Sequence, residues 1–248
     1  LNCVEHFFLR YVDNKGEHLR IRIKFENSKK AYEKLPRINK WIDYMMRQVL
    51  INDVTYDIYF REINRYGGKE IIEFCEKIFF KDSLTVEKIL SYYDLNQIDN
   101  IEKSYIIGIT FILKNLTKGL EEMFQILDSM GFQNNYRKEY REESRCYLQY
   151  VRSVLNECEE KYLDVKEEHL QEKRALKIYA KKLENQIKLK KNTNKKENII
   201  LSIIHMYCNR ITGNRIYENK YLAIVRHALY QILQQEKHYP KIASKDII

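Results

Sequence analysis

Three short segments of this chain combine cationic or proton-transferring side chains with a strong local pattern. They are His18-Leu19-Arg20-Ile21-Arg22, Arg65-Tyr66-Gly67-Gly68 and His205-Met206-Tyr207-Cys208-Asn209-Arg210. Guanidinium groups bind carboxylates through paired, charge-assisted hydrogen bonds, and an imidazole can transfer a proton near neutral pH. Because the segments lie far apart in the sequence, only the fold can bring them together. The sequence therefore predicts an anion pocket with an acid–base group beside it.

The first two segments each have a plainer interpretation. Arg20 and Arg22 alternate with apolar residues, so they share one face of a predicted strand. They either converge on a carboxylate or form an exposed basic strand face. The Arg65-Tyr66-Gly67-Gly68 segment lies between an extended stretch and a helix start, where backbone N–H groups favour a negative charge. Its alternative is a tight strand-to-helix turn.

His205 is the candidate acid–base residue, and Asn209 and Arg210 are candidate substrate-binding residues beside it. Asn209 lies at position i+4 from His205 on a predicted helix and could orient the ring, and Arg210 follows near the end of that helix. A single histidine on an apolar helix is also a common core residue. Both interpretations of His205 remain open at this point.

Composition bounds the function without choosing it. The 248 residues include 44 basic and 35 acidic side chains, and the resulting net charge of +9 suits an acidic ligand, an acidic protein or a nucleic acid. Five scattered cysteines without a C-x-x-C pair predict reduced thiols and a cytoplasmic location. The usual nucleotide, zinc and serine-hydrolase motifs are missing, so no metal and no cofactor is expected.

The longest apolar run, residues 106–113, falls well short of the ~20 residues that a membrane span needs. Neither a membrane span nor a signal peptide is expected, and Leu1 is not expected to be the natural N-terminus.

The predicted fold class is α+β, with N-terminal antiparallel β-strands packed with a predominantly helical body. Strand-like residues 7–12 and 19–25 flank turn residues 13–16, which predicts a hairpin. A third extended stretch, residues 55–63, is expected in or beside the same sheet. We therefore expect residues 6–63 to be rich in strands within a single domain over residues 1–248.

Helical periodicity dominates residues 66–236. A helix is predicted from the glycine pair to a break at Asp82-Ser83, and a projecting antiparallel pair of charged helices over 136–191. Residues 188–198 are predicted to form a solvated linker. The remaining predicted helices span residues 102–115, 118–130, 199–210 and 219–235.

Three phrases together resemble one protein family. They are FFLRYVDNKGEHLRIRIKF, YFREINRYGGKEIIEFCEKIFFKDS and SIIHMYCNRITG, and their order and separations resemble the elimination domain of class I lantibiotic dehydratases. The same domain occurs free-standing in the biosynthetic clusters of thiopeptides, which like lantibiotics are ribosomally made and modified peptides. The resemblance covers residues 6–235, nearly the whole chain.

The resemblance implies a lyase of bacteriocin biosynthesis. In that family a partner domain esterifies serine or threonine of a precursor peptide with glutamate from glutamyl-tRNA. The elimination domain then expels the glutamate and leaves dehydroalanine or dehydrobutyrine. By resemblance Arg22 and Arg65 match the glutamate-binding arginines, Arg20 is the adjacent strand arginine and His205 matches the essential histidine. Glu62 is as suited to anchoring Arg65 as to acting as a base.

The chain departs from the family in being short, in lacking the strand that usually precedes the first motif and in containing no glutamylation domain. The resemblance therefore implies several partners. These are the precursor peptide, a separate tRNA-dependent glutamylating subunit and a leader-recognition protein, and a homo-oligomer is compatible with the sequence.

Two rival functions need separate tests. A thiopeptide pyridine synthase is similar to this fold but joins two dehydroalanines by a formal aza-cycloaddition and releases the leader peptide. A non-catalytic module would instead bind precursor peptide or RNA through its basic surface. The joint presence of Arg20, Arg22, Arg65 and His205 favours elimination over cyclisation, because a pyridine synthase has no glutamate to hold.

Overall fold

A computed structural model describes residues 5–14 and 16–238 of the chain. Strand β1, Glu5–Asp13, pairs antiparallel with strand β2, Gly16–Lys24, in a two-stranded sheet. Asp13 pairs with Gly16, whose φ of +96° suits a glycine at the end of a tight turn. The predicted hairpin is confirmed. The cationic face of β2, with Arg20 and Arg22, is its more covered face.

Eight helices follow the hairpin within the described residues, so the predicted α+β class with a helical body is confirmed. In chain order they are α1 (Ser28–Arg47), α2 (Ile72–Tyr92), α3 (Ile98–Leu116), α4 (Leu120–Asp128), α5 (Arg137–Leu155), α6 (Lys166–Lys188), α7 (Lys196–Ile211) and α8 (Arg215–His238). A short 3-10 turn, Glu159–Lys161, precedes α6.

Helix α3 is the centre of the helical body. All of its residues from Ser104 to Leu113 are buried, and it packs against helices α5, α6, α7 and α8. A helix that is apolar all round must be covered on every side, which explains the long apolar run in its sequence. Gly108 lets α7 approach closely, because a Cβ there would lie 2.0 Å from the ring of Tyr207. No described helix is long and apolar enough to cross a membrane.

The predicted break at Asp82-Ser83 is wrong, because α2 runs through both residues. Asp82 forms an ion pair with Arg210 of α7, and the Ser83 hydroxyl accepts a hydrogen bond from the backbone N–H of Phe8. Both polar side chains are buried but have partners on other elements. This polar pair, which resembles a helix end in the sequence, therefore lies in the middle of a longer helix and is buried there.

The prediction that residues 6–63 are rich in strands is wrong after Lys24. Asn27 caps helix α1, because its side chain accepts a hydrogen bond from the Lys30 N–H, and the helix continues through Pro36. Residues 51–60 are irregular, so the predicted third strand is absent from the described sheet. In this segment the Tyr56 hydroxyl donates to the Asn39 side chain of α1 at 2.5 Å. Helix α1 has no buried residue.

The predicted projecting pair over residues 136–191 is also wrong. Helix α5 packs against α3 and α8, and helix α6 packs against α2 and α3. Each buries an apolar stripe that includes Val151 in α5 and Leu176 in α6. The thin apolar stripes of these charged helices are thus wide enough to attach them to the body.

Candidate functional site

The Arg65 turn is built from the backbone of residues 62–68. The Gly68 N–H donates to the Ile63 carbonyl at 3.0 Å, and Gly67 and Gly68 have φ values of +90° and +117°. Tyr66 points into the core, and its carbonyl accepts a hydrogen bond from the Tyr179 hydroxyl at 3.0 Å. Tyr66, Gly67 and Gly68 are all buried, so their observed contacts shape the turn before α2. Their predicted role in substrate binding stays a prediction.

The loop between α6 and α7 supports the outside of this turn. The Thr193 hydroxyl donates to the Asn64 carbonyl at 2.8 Å, and the Asn194 amide lies 3.5 Å from the Arg65 carbonyl. Residues 188–198 were predicted to be a solvated linker, and none of them is buried. The loop within this range also fixes the backbone that carries Arg65.

The Arg65 side chain extends from this turn to α7. Its Nε donates to the Ser202 hydroxyl at 3.2 Å, and its NH1 lies 3.2 Å from Glu62 Oε1. Ser202 and His205 are three residues apart on α7 and therefore lie on the same helix face. Arg65 thus contacts the face of α7 that carries His205, although 140 positions separate the two residues in sequence. Glu62 is placed to anchor the Arg65 side chain.

His205 forms a small polar cluster with the first turn of α8. Its Nδ1 lies 2.9 Å and 3.1 Å from the two carboxylate oxygens of Glu218, and 2.8 Å from NH1 of Arg215. The ring is 30% exposed and Glu218 only 8%. His205 is therefore a partly open residue with a buried carboxylate behind it, which excludes the alternative of a core histidine packed on all sides.

Arg20 and Arg22 lie on one face of β2 beside aromatic rings. The guanidinium carbon of Arg20 is 3.4 Å from the centroid of the Tyr11 ring, and that of Arg22 is 5.2 Å from the Tyr59 ring. No carboxylate of the described residues forms an ion pair with either arginine. The rings support the planar guanidinium groups. Arg20 Nε donates to His18 Nε2 at 3.3 Å, and the other N–H groups of the two arginines form no hydrogen bond within the described residues.

Asn209 attaches the hairpin to the helical body. Its side-chain oxygen accepts from the Arg10 N–H at 2.9 Å, and its amide donates to the Arg10 carbonyl at 2.9 Å. These bonds occupy the edge of β1 that does not pair with β2. No hydrogen bond joins the Asn209 side chain to the His205 ring among the described residues. The predicted role of Asn209 in orienting that ring is therefore not what its contacts show.

The structure contradicts the prediction that Arg210 binds substrate. Its side chain has no exposed surface, its Nε donates to the Phe8 carbonyl at 2.9 Å, and it forms an ion pair with Asp82. A fully buried guanidinium with a buried carboxylate partner has no surface on which to hold a ligand. Arg210 instead joins α7 to α2 and to β1.

A second carboxylate, Glu172 of α6, lies in the same interior. Burial raises the pKa of Glu172 well above its ordinary value, and the charge of Asp82 acts in the same direction. Thr85 Oγ lies 2.7 Å from Glu172 Oε2 and 3.2 Å from the Lys81 carbonyl. A protonated Glu172 satisfies both contacts, because it donates to Thr85, whose own hydrogen then goes to the carbonyl. Burial, the charge of Asp82 and the contacts of Thr85 thus favour the neutral form of Glu172.

Glu172→Gln should stabilise the protein at alkaline pH. The folded state keeps a proton that the unfolded chain loses above the ordinary Glu pKa of about 4.3, so wild-type stability falls as pH rises from there towards the raised pKa. The glutamine removes that loss. Urea midpoints measured between pH 4 and pH 9 should coincide at the acid end and favour the variant increasingly at higher pH. The control is Glu139→Gln, at an exposed position of α5. If the urea midpoints of Glu172→Gln and of the wild type changed in parallel across this pH range, the assignment would be contradicted.

Comparisons with known proteins now bear on this site. The family described as "Lantibiotic biosynthesis dehydratase C-term" matches residues 2–230 of the chain. The chain belongs to this family. The family predicted from the three motifs is therefore confirmed.

Relatives of this dehydratase C-terminal domain are several times longer than the chain. It is 30% identical to the subtilin biosynthesis protein SpaB of Bacillus subtilis over 92% of the chain but 22% of SpaB. For the nisin biosynthesis protein NisB of Lactococcus lactis subsp. lactis the identity is 27%, over 84% of the chain and 20% of NisB. The tRNA-dependent lantibiotic dehydratase MibB from Microbispora sp. 107891 shares the fold, with a TM-score of 0.82, 20% identity and coverage of 94% of this chain and 25% of MibB.

Sequence reasoning missed four residues of this dehydratase C-terminal domain's candidate site. They are Tyr59, Ser202, Arg215 and Glu218, which contact Arg22, Arg65 or His205. Ser202 is the one with a local signal, because it lies one helical turn before His205. The other three lie on irregular segments or on a different helix, so no spacing in the sequence relates them to their partners.

Proposed function

We propose that this domain eliminates glutamate from glutamylated serine or threonine residues of a ribosomally made precursor peptide. A base takes the proton from Cα, and the electron pair of that bond forms the Cα=Cβ double bond. The Cβ–O bond breaks, and glutamate leaves as a carboxylate. The products are dehydroalanine or dehydrobutyrine in the peptide, free glutamate and a protonated base.

The observation that carries the proposal is the placement of His205 between two arginine-bearing elements. Arg65 bonds to α7 one turn before His205, at Ser202, and the hairpin with Arg20 and Arg22 is attached one turn after it, at Asn209. Helix α7 is therefore in contact with both arginine-bearing elements, which supports a shared site for the imidazole and the guanidinium groups. A glutamyl ester needs both kinds of group.

Charge develops in this reaction where arginines are useful. The glutamyl group carries a side-chain carboxylate throughout, and cleavage of the ester generates a second one. Guanidinium groups that contact the second carboxylate bind it more strongly as its charge grows, and this lowers the barrier instead of merely binding substrate. We assign this role to Arg22 and Arg65, with Arg20 beside them, and removal of the α-proton to His205.

The glutamyl ester must come from a glutamylating activity. We propose that it acts on the same precursor peptide in the cytoplasm, as a separate tRNA-dependent subunit, and that a leader-recognition protein assists it. Purified domain should release glutamate from a chemically synthesised glutamylated peptide without tRNA or ATP. Absence of free glutamate from a folded, peptide-binding preparation would reject elimination, and a macrocycle formed from a dehydroalanine peptide would establish the rival pyridine synthase.

Arg22→Ala and Arg65→Ala should each slow elimination by about 30-fold or more. Loss of a charge-assisted contact to the leaving carboxylate costs roughly 2 kcal/mol, which corresponds to that factor. Glutamate release from the synthetic ester, followed by mass spectrometry, should show accumulated glutamyl-peptide. Arg37→Ala, which removes an exposed arginine of α1, is the matched control. Rates of the two site variants equal to this control would contradict the role.

A further inference from the structure

We propose that Glu218 is the residue that positions His205 for proton transfer, by holding the ring in one tautomer and stabilising its protonated form. The inference deepens the proposed function and rests on it for its kinetic consequences. Nothing in the local sequence around His205 points to Glu218, which lies 13 positions later on another helix. The argument depends on the contacts of the ring, on burial and on charge.

Glu218 is fixed before any substrate arrives. It lies on the first turn of α8, its backbone N–H donates to the Asn214 carbonyl at 3.0 Å, and its side chain is 8% exposed. Both of its oxygens lie within 3.1 Å of His205 Nδ1. An ionised carboxylate only accepts hydrogen bonds. Nδ1 must therefore carry a hydrogen whether the ring is neutral or protonated.

Arg215 is a competing neighbour, because its NH1 lies 2.8 Å from both His205 Nδ1 and Glu218 Oε1. A guanidinium N–H only donates, so it would favour an Nδ1 without hydrogen. The side chain of Arg215 is 68% exposed, whereas Glu218 is buried and has two oxygens beside the ring. We infer that both donors bond to the carboxylate, the ring through Nδ1 and Arg215 through Oε1. Glu218 thus decides the tautomer.

This arrangement leaves Nε2 as the basic nitrogen. The described residues form no hydrogen bond to Nε2, and the ring is 30% exposed, so Nε2 is available to substrate. When Nε2 accepts the α-proton, the ring becomes positive while Nδ1 stays bonded to a negative carboxylate. Glu218 therefore stabilises the charge that forms during the transfer, as the carboxylate behind a catalytic histidine does elsewhere.

The first experiment reads the tautomer directly and needs no activity. Two-dimensional ¹⁵N–¹H spectra of the ¹⁵N-histidine-labelled protein, assigned with His205→Gln, should show a protonated Nδ1 and a bare Nε2 in the neutral ring. Glu218→Ala should shift the ring towards the Nε2–H form. An Nε2–H tautomer in the wild-type protein would overturn the proposal, and the wild-type spectrum alone decides this where a variant fails to fold.

The second experiment separates positioning from folding. Glu218→Gln keeps a hydrogen-bond acceptor but removes the charge, so kcat on the glutamylated peptide should fall by about 10- to 100-fold while KM changes little. Glu218→Asp should restore part of kcat. Glu236→Gln on the same helix, about 27 Å along the axis, is the matched control. Unchanged kcat in Glu218→Gln would overturn the proposal, as would an Asp variant no better than Gln.

The two experiments fail separately. If the proposed elimination were wrong, the wild-type protein would release no glutamate but would still show the Nδ1–H tautomer and its dependence on Glu218. If only the role of Glu218 were wrong, glutamate release would continue in the Gln variant. Arg215→Gln adds an internal check, because loss of a mere donor to Oε1 should leave the tautomer of His205 unchanged.

Discussion

His205→Ala should abolish glutamate release while the fold remains intact. A positioned acid–base group typically contributes 10²–10⁴-fold to a rate, so we expect a loss of at least about 100-fold. The ring is partly exposed, and its removal opens no interior cavity. The measurement is single-turnover release of glutamate from a synthetic glutamyl-peptide, with circular dichroism to verify folding.

The matched control for this variant is His238→Ala, which changes an exposed histidine at the end of α8. The glutamyl-peptide should persist with His205→Ala and disappear with the control. Elimination at the wild-type rate by His205→Ala would remove the histidine from the mechanism. The domain would then need another base, for which Glu62, 3.2 Å from Arg65 NH1, is a candidate.

Arg210→Met should produce the largest loss of stability of any variant considered. The substitution leaves the buried Asp82 carboxyl group without its cation, and breaking a buried ion pair in this way costs about 3–5 kcal/mol. It also removes the hydrogen bond to the Phe8 carbonyl. Equilibrium urea unfolding, monitored by circular dichroism, should show the loss as a lower midpoint.

Two further variants identify the cause of that loss. Adding Asp82→Asn to Arg210→Met replaces the unpaired buried carboxyl group with an amide, so the double variant should regain part of the stability. Arg226→Met breaks the ion pair with Asp128, whose side chain is 35% exposed, and should cost much less because water stabilises the remaining carboxylate. Equal losses for Arg210→Met and Arg226→Met would contradict the assignment of Arg210 to the core.

Local patterns predicted well those parts of the fold that local interactions determine. The hairpin follows from alternation around a turn, and α7 follows from apolar residues at helical spacing, ended by Gly213 with a φ of +69°. Helix α1 escaped prediction because Pro36 indicates a helix break in the sequence, although the helix continues through it. Its signals were the Asn27 cap and the spacing of Leu35, Ile38 and Ile42.

The roles of Asn209 and Arg210 were not predictable from local sequence. Their partners lie 199 residues away in β1 and 128 residues away in α2, and no spacing along one chain records such pairs. The motif containing His205 was therefore interpreted as one functional unit. The structure divides it, because His205 faces the candidate site while the last two residues attach other elements. Sequence similarity detects the whole motif, but only the fold distinguishes the residue at the candidate site from the two that hold other elements in place.

Because of that division, α7 both carries His205 and positions the hairpin relative to it. One turn after the imidazole of this helix, Asn209 forms hydrogen bonds with the backbone of β1, on the edge that does not pair with β2. Because the two elements are joined at this point, a displacement of α7 should also displace the hairpin and its arginines. This attachment should keep the separation between the His205 ring and the arginines of β2 nearly constant when other parts of the domain move.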